Sequence, residues 1–175
     1  MNLPNKLTVG RFIAVPIFIV VFMMGYHYIS AIIFIVASFT DYLDGKIARK
    51  YNLVTNFGKI MDPLADKILV ISALVCLVDT GQVAAWMLIV ILAREFTVTG
   101  LRTVAAAQGI VIAAGMTGKI KTVLQMIAVP LLIIQNWPFS FVGIPVADIM
   151  LWASVIMTIV SGTEYVYKNR QVFSM

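Results

Sequence analysis

Ionisable residues are scarce in this sequence: 12% of its 175 residues are charged, whereas 61% are hydrophobic. A typical soluble domain has about 25% charged residues, so this composition argues against a soluble protein and favours a lipid bilayer as the solvent. The single cysteine, Cys76, excludes an internal disulfide. The near absence of cysteine and histidine also argues against a zinc centre, which uses clustered ligands of these types.

Long apolar runs dominate the chain, and each is punctuated by turn or charge signals. A membrane-spanning helix needs about 20 mainly apolar residues. The sequence therefore predicts an all-α, polytopic membrane protein, a single domain over residues 1–175, with six transmembrane helices near residues 10–26, 28–49, 58–79, 83–105, 118–136 and 145–167. The short polar segment from Met1 to Gly10 is expected to lie along the membrane interface as a partial amphipathic helix.

The formal net charge of +5 could indicate a nucleic-acid-binding protein. The basic residues lie instead at the ends of apolar runs, which indicates topology and contact with anionic lipid, so no nucleic-acid partner is expected. Lys and Arg concentrate in cytoplasmic connections. This rule predicts a multi-pass protein of the cell membrane with both termini and the active site in the cytoplasm.

Four carboxylates lie at the predicted cytoplasmic ends of the second and third spans. Asp41 and Asp44 are three residues apart, and Asp62 and Asp66 are four apart, so each pair shares one helical face. Each aspartate would cost about 2.5–3.5 kcal/mol at the membrane centre without a compensating partner. Divalent cations that prefer oxygen ligands, such as Mg²⁺, Mn²⁺ or Ca²⁺, would offset this cost. An ion-pair network or a proton relay is the alternative explanation.

The aspartates form part of a longer pattern with small and basic residues at fixed spacing. The sequence from Asp41 to Asp66 matches D-x-x-D-G-x-x-A-R-x(8)-G-x(3)-D-x(3)-D, in which the remaining positions are Gly45, Ala48, Arg49 and Gly58. The chain thereby resembles the CDP-alcohol phosphotransferase family. A match at eight fixed positions is far more specific than a single glycine motif.

The resemblance implies a metal-dependent transfer of a phospholipid headgroup. It implies that Asp41, Asp44 and Asp62 ligate two metal ions, Mg²⁺ or Mn²⁺, and that Asp66 completes the site and serves as general base. It also implies that the donor, CDP-diacylglycerol, binds to Asn5, Thr8, Gly45, Ala48, Arg49, Thr55 and Gly58. A homodimer is a further expectation from the family.

The acceptor has to be inferred from other segments. The runs NLPNKLTVGR, MDPLADK, AREFTVTGLR and GKIKT resemble bacterial family members that use glycerol 3-phosphate as acceptor. An anionic acceptor needs fixed cations, and Arg102 and Lys119, with Arg94 third, are the predicted phosphate contacts. A purely structural role for Arg94 is an alternative, as is a role for Lys121 that is limited to membrane topology.

Two other functions compete with this interpretation. One is a sibling transferase that uses serine, inositol phosphate or another alcohol. The other is a cation channel or an ion-coupled transporter with the aspartates as its ion site, although the sequence shows none of the internal repeats common in such transporters. The glycine, alanine and arginine positions of the pattern favour a nucleotide-diphosphate site.

Overall fold

The computed structural model describes the backbone of residues 3–50, 56–110, 112–113 and 115–170. Side chains are described for these residues except 3–6, 41–50, 56–60 and 63. Within this part of the chain there are six α-helices and no strand. They are α1 (Leu3–Met23), α2 (His27–Lys50), α3 (Asn56–Asp79), α4 (Ala85–Ala107), α5 (Met116–Ile133) and α6 (Val146–Lys168), with a short 3₁₀ helix at Phe139–Val142.

The helices follow the predicted apolar runs, and the all-α prediction is confirmed. The helix α1 begins at Leu3, so Leu3 to Gly10 are continuous with the first predicted span. The position of this segment along the membrane interface stays a prediction. Tight turns separate α1 from α2 and α3 from α4. Gly25 (φ 82°) and Gly81 (φ 74°) adopt the left-handed conformation at these turns, which glycine tolerates without steric cost.

The most extensive helix contacts join α5 to α6 and α1 to both α2 and α3, while α4 packs mainly against α6. A shared apolar core lies between the helices and includes fully buried side chains of five of them: Phe18, Phe34, Leu69, Leu74, Ile91, Val129 and Ile133. Burial of this apolar area stabilises the bundle relative to states in which the same side chains contact water or lipid headgroups.

The outer surface is also apolar, which is unusual for a water-soluble protein. Large hydrophobic side chains are exposed on every helix, for example Ile17, Ile32, Val75, Ile89, Val123 and Ile156. Several polar side chains are buried between the helices, among them Ser30, Lys121, Ser154 and Thr158. An apolar exterior around a partly polar interior is the arrangement expected of a protein in lipid.

Two helices, α5 over Met116–Ile133 and α6 over Val146–Lys168, are long and apolar enough to cross a membrane. Shorter apolar stretches lie in α1 and α2, at Leu7–Met23 and His27–Thr40. These helices indicate association with a membrane, and the prediction of six spans stays a prediction.

Candidate active site

One end of the bundle gathers the chemically functional side chains. Thr8 near the start of α1 donates a hydrogen bond from Oγ1 to Oδ1 of Asp62 near the start of α3. Lys67, one turn further along α3, donates to Thr99 Oγ1 in the second half of α4. Thr117 at the start of α5 donates to Glu164 near the end of α6, at 2.8 Å. The starts of α1, α3 and α5 therefore meet the ends of α4 and α6.

Asp62 and Asp66 lie one turn apart on α3, on the same helical face, as the sequence spacing predicted. Both side chains are partly buried. The other predicted metal ligands and donor contacts lie outside the side chains that the structure describes: Asn5, Asp41, Asp44, Gly45, Ala48, Arg49, Thr55 and Gly58. Their roles stay predictions.

A pocket of about 420 Å³ opens beside Asp66, between α3, α4, α5 and α6. The structure brings the three predicted acceptor cations together on its walls: Arg94, Arg102 and Lys119. Lys67 adds a fourth basic side chain. We call this space, lined by Asp66 and these four cations, the acceptor pocket. An open pocket with such a concentration of positive charge favours an anionic ligand.

Glu95 is the centre of an ion-pair network on one side of the acceptor pocket. Its Oε1 lies 2.8 Å from Arg94 Nη1 and 2.8 Å from Lys121 Nζ, and its Oε2 lies 3.7 Å from Lys67 Nζ. The Lys121 side chain is 5% exposed and that of Glu95 14%. One carboxylate therefore contacts three cations from three helices, and Lys67, Arg94 and Glu95 of this network line the acceptor pocket together with Asp66.

Arg102 is held by a different contact. Its Nε donates to the hydroxyl oxygen of Tyr165 on α6 at 3.0 Å, and its guanidinium carbon lies 5.5 Å from the centre of the Tyr165 ring. Tyr165 is 7% exposed, so the ring is a fixed support. A guanidinium stacked on an aromatic face keeps N–H donors for an anion. Lys119, by contrast, is exposed at the mouth of the pocket.

The Arg94 side chain is closely packed against α5 and α6, more closely than the binding of a soluble ligand alone would require. A Cβ atom added to Gly162 would lie 3.1 Å from Arg94 Cγ, and one added to Gly118 would lie 2.9 Å from Arg94 Nη2. Arg94 Nε also donates to Ser161 Oγ at 3.2 Å. The alternative that Arg94 pairs structurally therefore has direct support in these contacts, although its side chain still lines the acceptor pocket.

Sequence reasoning missed four contributors to this site: the Glu95 network, the Tyr165 support, the buried position of Lys121 and the glycines beside Arg94. The interior position of Glu95 could have been predicted from the sequence, because it is the only acidic residue of the mainly apolar α4 sequence and charged residues in such helices usually face the interior. Tyr165 had no comparable signal, since its partner lies 63 residues away.

Comparison with known proteins places the chain in a family. A sequence model described as CDP-alcohol phosphatidyltransferase matches residues 1–160. A CDP-diacylglycerol--glycerol-3-phosphate 3-phosphatidyltransferase of Bacillus subtilis is 51% identical, over 96% of this chain and 95% of the relative. A protein with the same name from Rickettsia bellii is 39% identical, over 98% and 97% of the two chains.

A third relative also matches nearly the whole of this chain. A probable phosphatidylglycerophosphate synthase of Mycobacterium tuberculosis is 38% identical, over 94% of this chain and 80% of its own. The family match covers most of the sequence, including both halves of the aspartate pattern and the α4 and α5 residues of the acceptor pocket. The chain belongs to the CDP-alcohol phosphatidyltransferase family.

Proposed function

We propose that this protein is a membrane enzyme that transfers the phosphatidyl group of CDP-diacylglycerol to glycerol 3-phosphate, giving phosphatidylglycerophosphate and CMP. The names of the relatives from Bacillus and Rickettsia state a donor and an acceptor for this reaction. In this chain, the observation that supports the proposal is the acceptor pocket, which is lined by Arg94, Arg102 and Lys119 together with Asp66.

The charge of the pocket favours an acceptor that carries a phosphate group. A phosphate monoester carries about −1.5 to −2 charge near neutral pH, whereas serine and other headgroup alcohols without phosphate lack this dianion. Glu95 compensates part of the charge of Lys67, Arg94 and Lys121. Arg102 and Lys119 have no acidic partner within 4.0 Å among the described residues, so they are the cations best placed to bind the acceptor phosphate.

Members of this family generally use a divalent metal, and the described residues supply two of the carboxylates that would hold one. Asp62 and Asp66 supply carboxylate oxygens from one face of α3, and an all-oxygen donor set suits Mg²⁺ or Mn²⁺. We propose that these two residues, with Asp41 and Asp44 of α2, hold two ions. When bound, such ions neutralise the diphosphate of the donor and the charge on the leaving CMP.

Thr8 orients the Asp62 side chain for the proposed metal binding. The hydrogen bond from its hydroxyl fixes the orientation of the Asp62 carboxylate and connects α1 to α3 at the site. Partners of this kind commonly affect metal affinity by about 10–100-fold. We propose that the remaining donor contacts come from the sequence pattern, with Arg49 binding phosphate and Gly45 admitting the nucleotide close to the backbone.

The proposed chemistry is a direct displacement at the phosphorus that bears the diacylglycerol. The acceptor hydroxyl forms the new P–O bond while the bond to CMP breaks, and the Asp66 carboxylate accepts the hydroxyl proton. Arg102 and Lys119 hold the acceptor phosphate, which directs the hydroxyl end of the acceptor towards Asp66. Positioning of this kind supplies a large part of the rate in phosphoryl transfer.

The apolar exterior and the lipid substrate agree with a membrane location. We propose six spans within one domain of residues 1–175, with both termini and the active site on the cytoplasmic side, where soluble glycerol 3-phosphate and CMP are exchanged. This orientation rests on the basic residues at one end of the bundle. A homodimer is also proposed, from the family resemblance.

The test is CMP release by the purified protein in detergent or vesicles, with CDP-diacylglycerol, Mg²⁺ or Mn²⁺, and a panel of acceptors. Glycerol 3-phosphate should support release, and the lipid product should be phosphatidylglycerophosphate. Serine, inositol phosphate and glycerol test the sibling transferases. Turnover with one of these and none with glycerol 3-phosphate would contradict the proposed acceptor.

A further inference from the structure

A second, smaller cavity adjoins the acceptor pocket and extends between α3, α4 and α5. The two spaces share four wall residues, Asp66, Lys67, Glu95 and Thr122. Other walls of the smaller cavity are apolar and include Val70, Ile91 and Met126. We call this space the inner cavity; it lies against the acceptor pocket at Asp66.

Gln125 is a buried polar side chain of the inner cavity with no role in the proposed reaction. It is 3% exposed and lines the cavity together with Asp66. Its Nε2 is buried and has no hydrogen-bond partner within the part of the chain that the structure describes. A buried N–H donor without a partner is unfavourable, so this amide is suited to a ligand or a water molecule that accepts its hydrogen bond.

The position of Gln125 relative to the other groups is set by α5. Gln125 follows Lys121 by four residues, so both side chains point to the same face of the helix, with Gln125 one turn deeper. Lys121 is already committed to Glu95 at 2.8 Å. The amide of Gln125 is thus a neutral donor beyond the charged network and on the same side as Asp66.

We infer that Gln125 determines acceptor specificity by donating a hydrogen bond from Nε2 to the second hydroxyl of the acceptor. This inference rests on the proposed function. Glycerol 3-phosphate has a phosphate and two hydroxyls; Arg102 and Lys119 bind the phosphate, and Asp66 receives the proton of the attacking hydroxyl. The remaining secondary hydroxyl enters a cavity with apolar walls, where Gln125 supplies the donor that it needs.

The test compares two acceptors in two proteins. The acceptors are glycerol 3-phosphate and propane-1,3-diol monophosphate, which lacks only the secondary hydroxyl; the proteins are the wild type and Gln125→Met, which keeps side-chain length and removes the donor. In the wild type, kcat/KM should be about tenfold higher for glycerol 3-phosphate, as expected for one hydrogen bond. In Gln125→Met this preference should disappear, through a loss of about tenfold for glycerol 3-phosphate alone.

Equal losses for both acceptors would overturn the inference, because they would indicate a structural role for Gln125. A preference that persists in Gln125→Met would also overturn it. Equal kcat/KM for the two acceptors in the wild type would overturn it as well, whether or not the variant folds, because the secondary hydroxyl would then not be recognised.

A matched control is Ser154→Ala, which removes a fully buried polar side chain of α6 outside both spaces. It should retain the wild-type preference. Failure of the proposed function would look different, since the wild type would then release no CMP with glycerol 3-phosphate and would use another acceptor.

Discussion

Lys121 of α5 and Glu95 of α4 form an ion pair of 2.8 Å with both side chains withdrawn from solvent. Removing one partner of a buried pair leaves an uncompensated charge. We expect Lys121→Met to destabilise the protein by about 3 kcal/mol, the lower end of the usual range, because Arg94 and Lys67 still contact Glu95. The measurement is the thermal midpoint of the purified protein in detergent.

Lys119 offers a matched control two residues away. It is exposed at the mouth of the acceptor pocket, so Lys119→Met should leave the midpoint close to that of the wild type. Similar midpoints for wild type and Lys121→Met would show that the pair contributes little to stability.

The hydrogen bond from Thr8 to Asp62 predicts an effect on metal requirement. Thr8→Val removes the hydroxyl, releases the Asp62 carboxylate from its fixed orientation, and should raise the Mg²⁺ concentration for half-maximal activity by about tenfold. Thr8→Ser retains the hydroxyl and should behave like the wild type. An unchanged Mg²⁺ dependence in Thr8→Val would show that this hydrogen bond does not affect metal binding.

The glycines beside Arg94 predict a difference between two similar substitutions. Gly162→Ala would place a Cβ 3.1 Å from Arg94 Cγ, so the arginine stem has to shift by a few tenths of an ångström. Such overpacking typically costs about 1–3 kcal/mol, which outweighs the gain of up to about 1 kcal/mol in helix propensity that the same change brings. A Cβ atom added to Gly100 would meet no neighbouring atom within 4 Å, so Gly100→Ala should instead stabilise α4 by up to about 1 kcal/mol through helix propensity.

Denaturation midpoints of the two alanine variants test this difference. Opposite signs are expected, with Gly162→Ala lower and Gly100→Ala equal to or higher than the wild type. A neutral Gly162→Ala would mean that the Arg94 side chain adapts without losing its partners.

The general-base role proposed for Asp66 predicts that chemistry and donor binding respond separately. Asp66→Asn removes the proton acceptor and should lower the single-turnover rate by about 10²–10⁴-fold. Binding of CDP-diacylglycerol in the presence of Mg²⁺ should change much less. Parallel losses of rate and of donor binding would make Asp66 chiefly a metal ligand.

The helices were predictable because each is determined by its own stretch of sequence. Apolar runs of about 20 residues specify where each helix lies, and α4 at Ala85–Ala107 agrees with the predicted 83–105 to within two residues. The helical start of α1 lies before the predicted span, because the polar residues Asn5 and Lys6 precede the apolar run. Backbone hydrogen bonds continue through such residues, so the helix begins earlier than the apolar pattern.

The site was predictable only in part. Residue type and spacing identified Asp62, Asp66 and the basic residues of α4 and α5, and the structure places Arg102 and Lys119 on one pocket with Asp66. The support of Arg102 by Tyr165 depends on packing between α4 and α6. No spacing rule reports a contact of this kind, and the same holds for the proximity of Gly162 to Arg94.

We propose that the acceptor pocket binds an anionic acceptor beside Asp66, the proposed general base. The most direct measurement is the Michaelis constant for glycerol 3-phosphate and for CDP-diacylglycerol in the wild type, Arg102→Gln and Lys119→Gln. A lost charge-assisted hydrogen bond is worth about 1.5–3 kcal/mol, or roughly 10–100-fold in affinity. We predict an increase of this size for glycerol 3-phosphate in each variant and little change for CDP-diacylglycerol; unchanged glycerol 3-phosphate kinetics in both variants would contradict the claim.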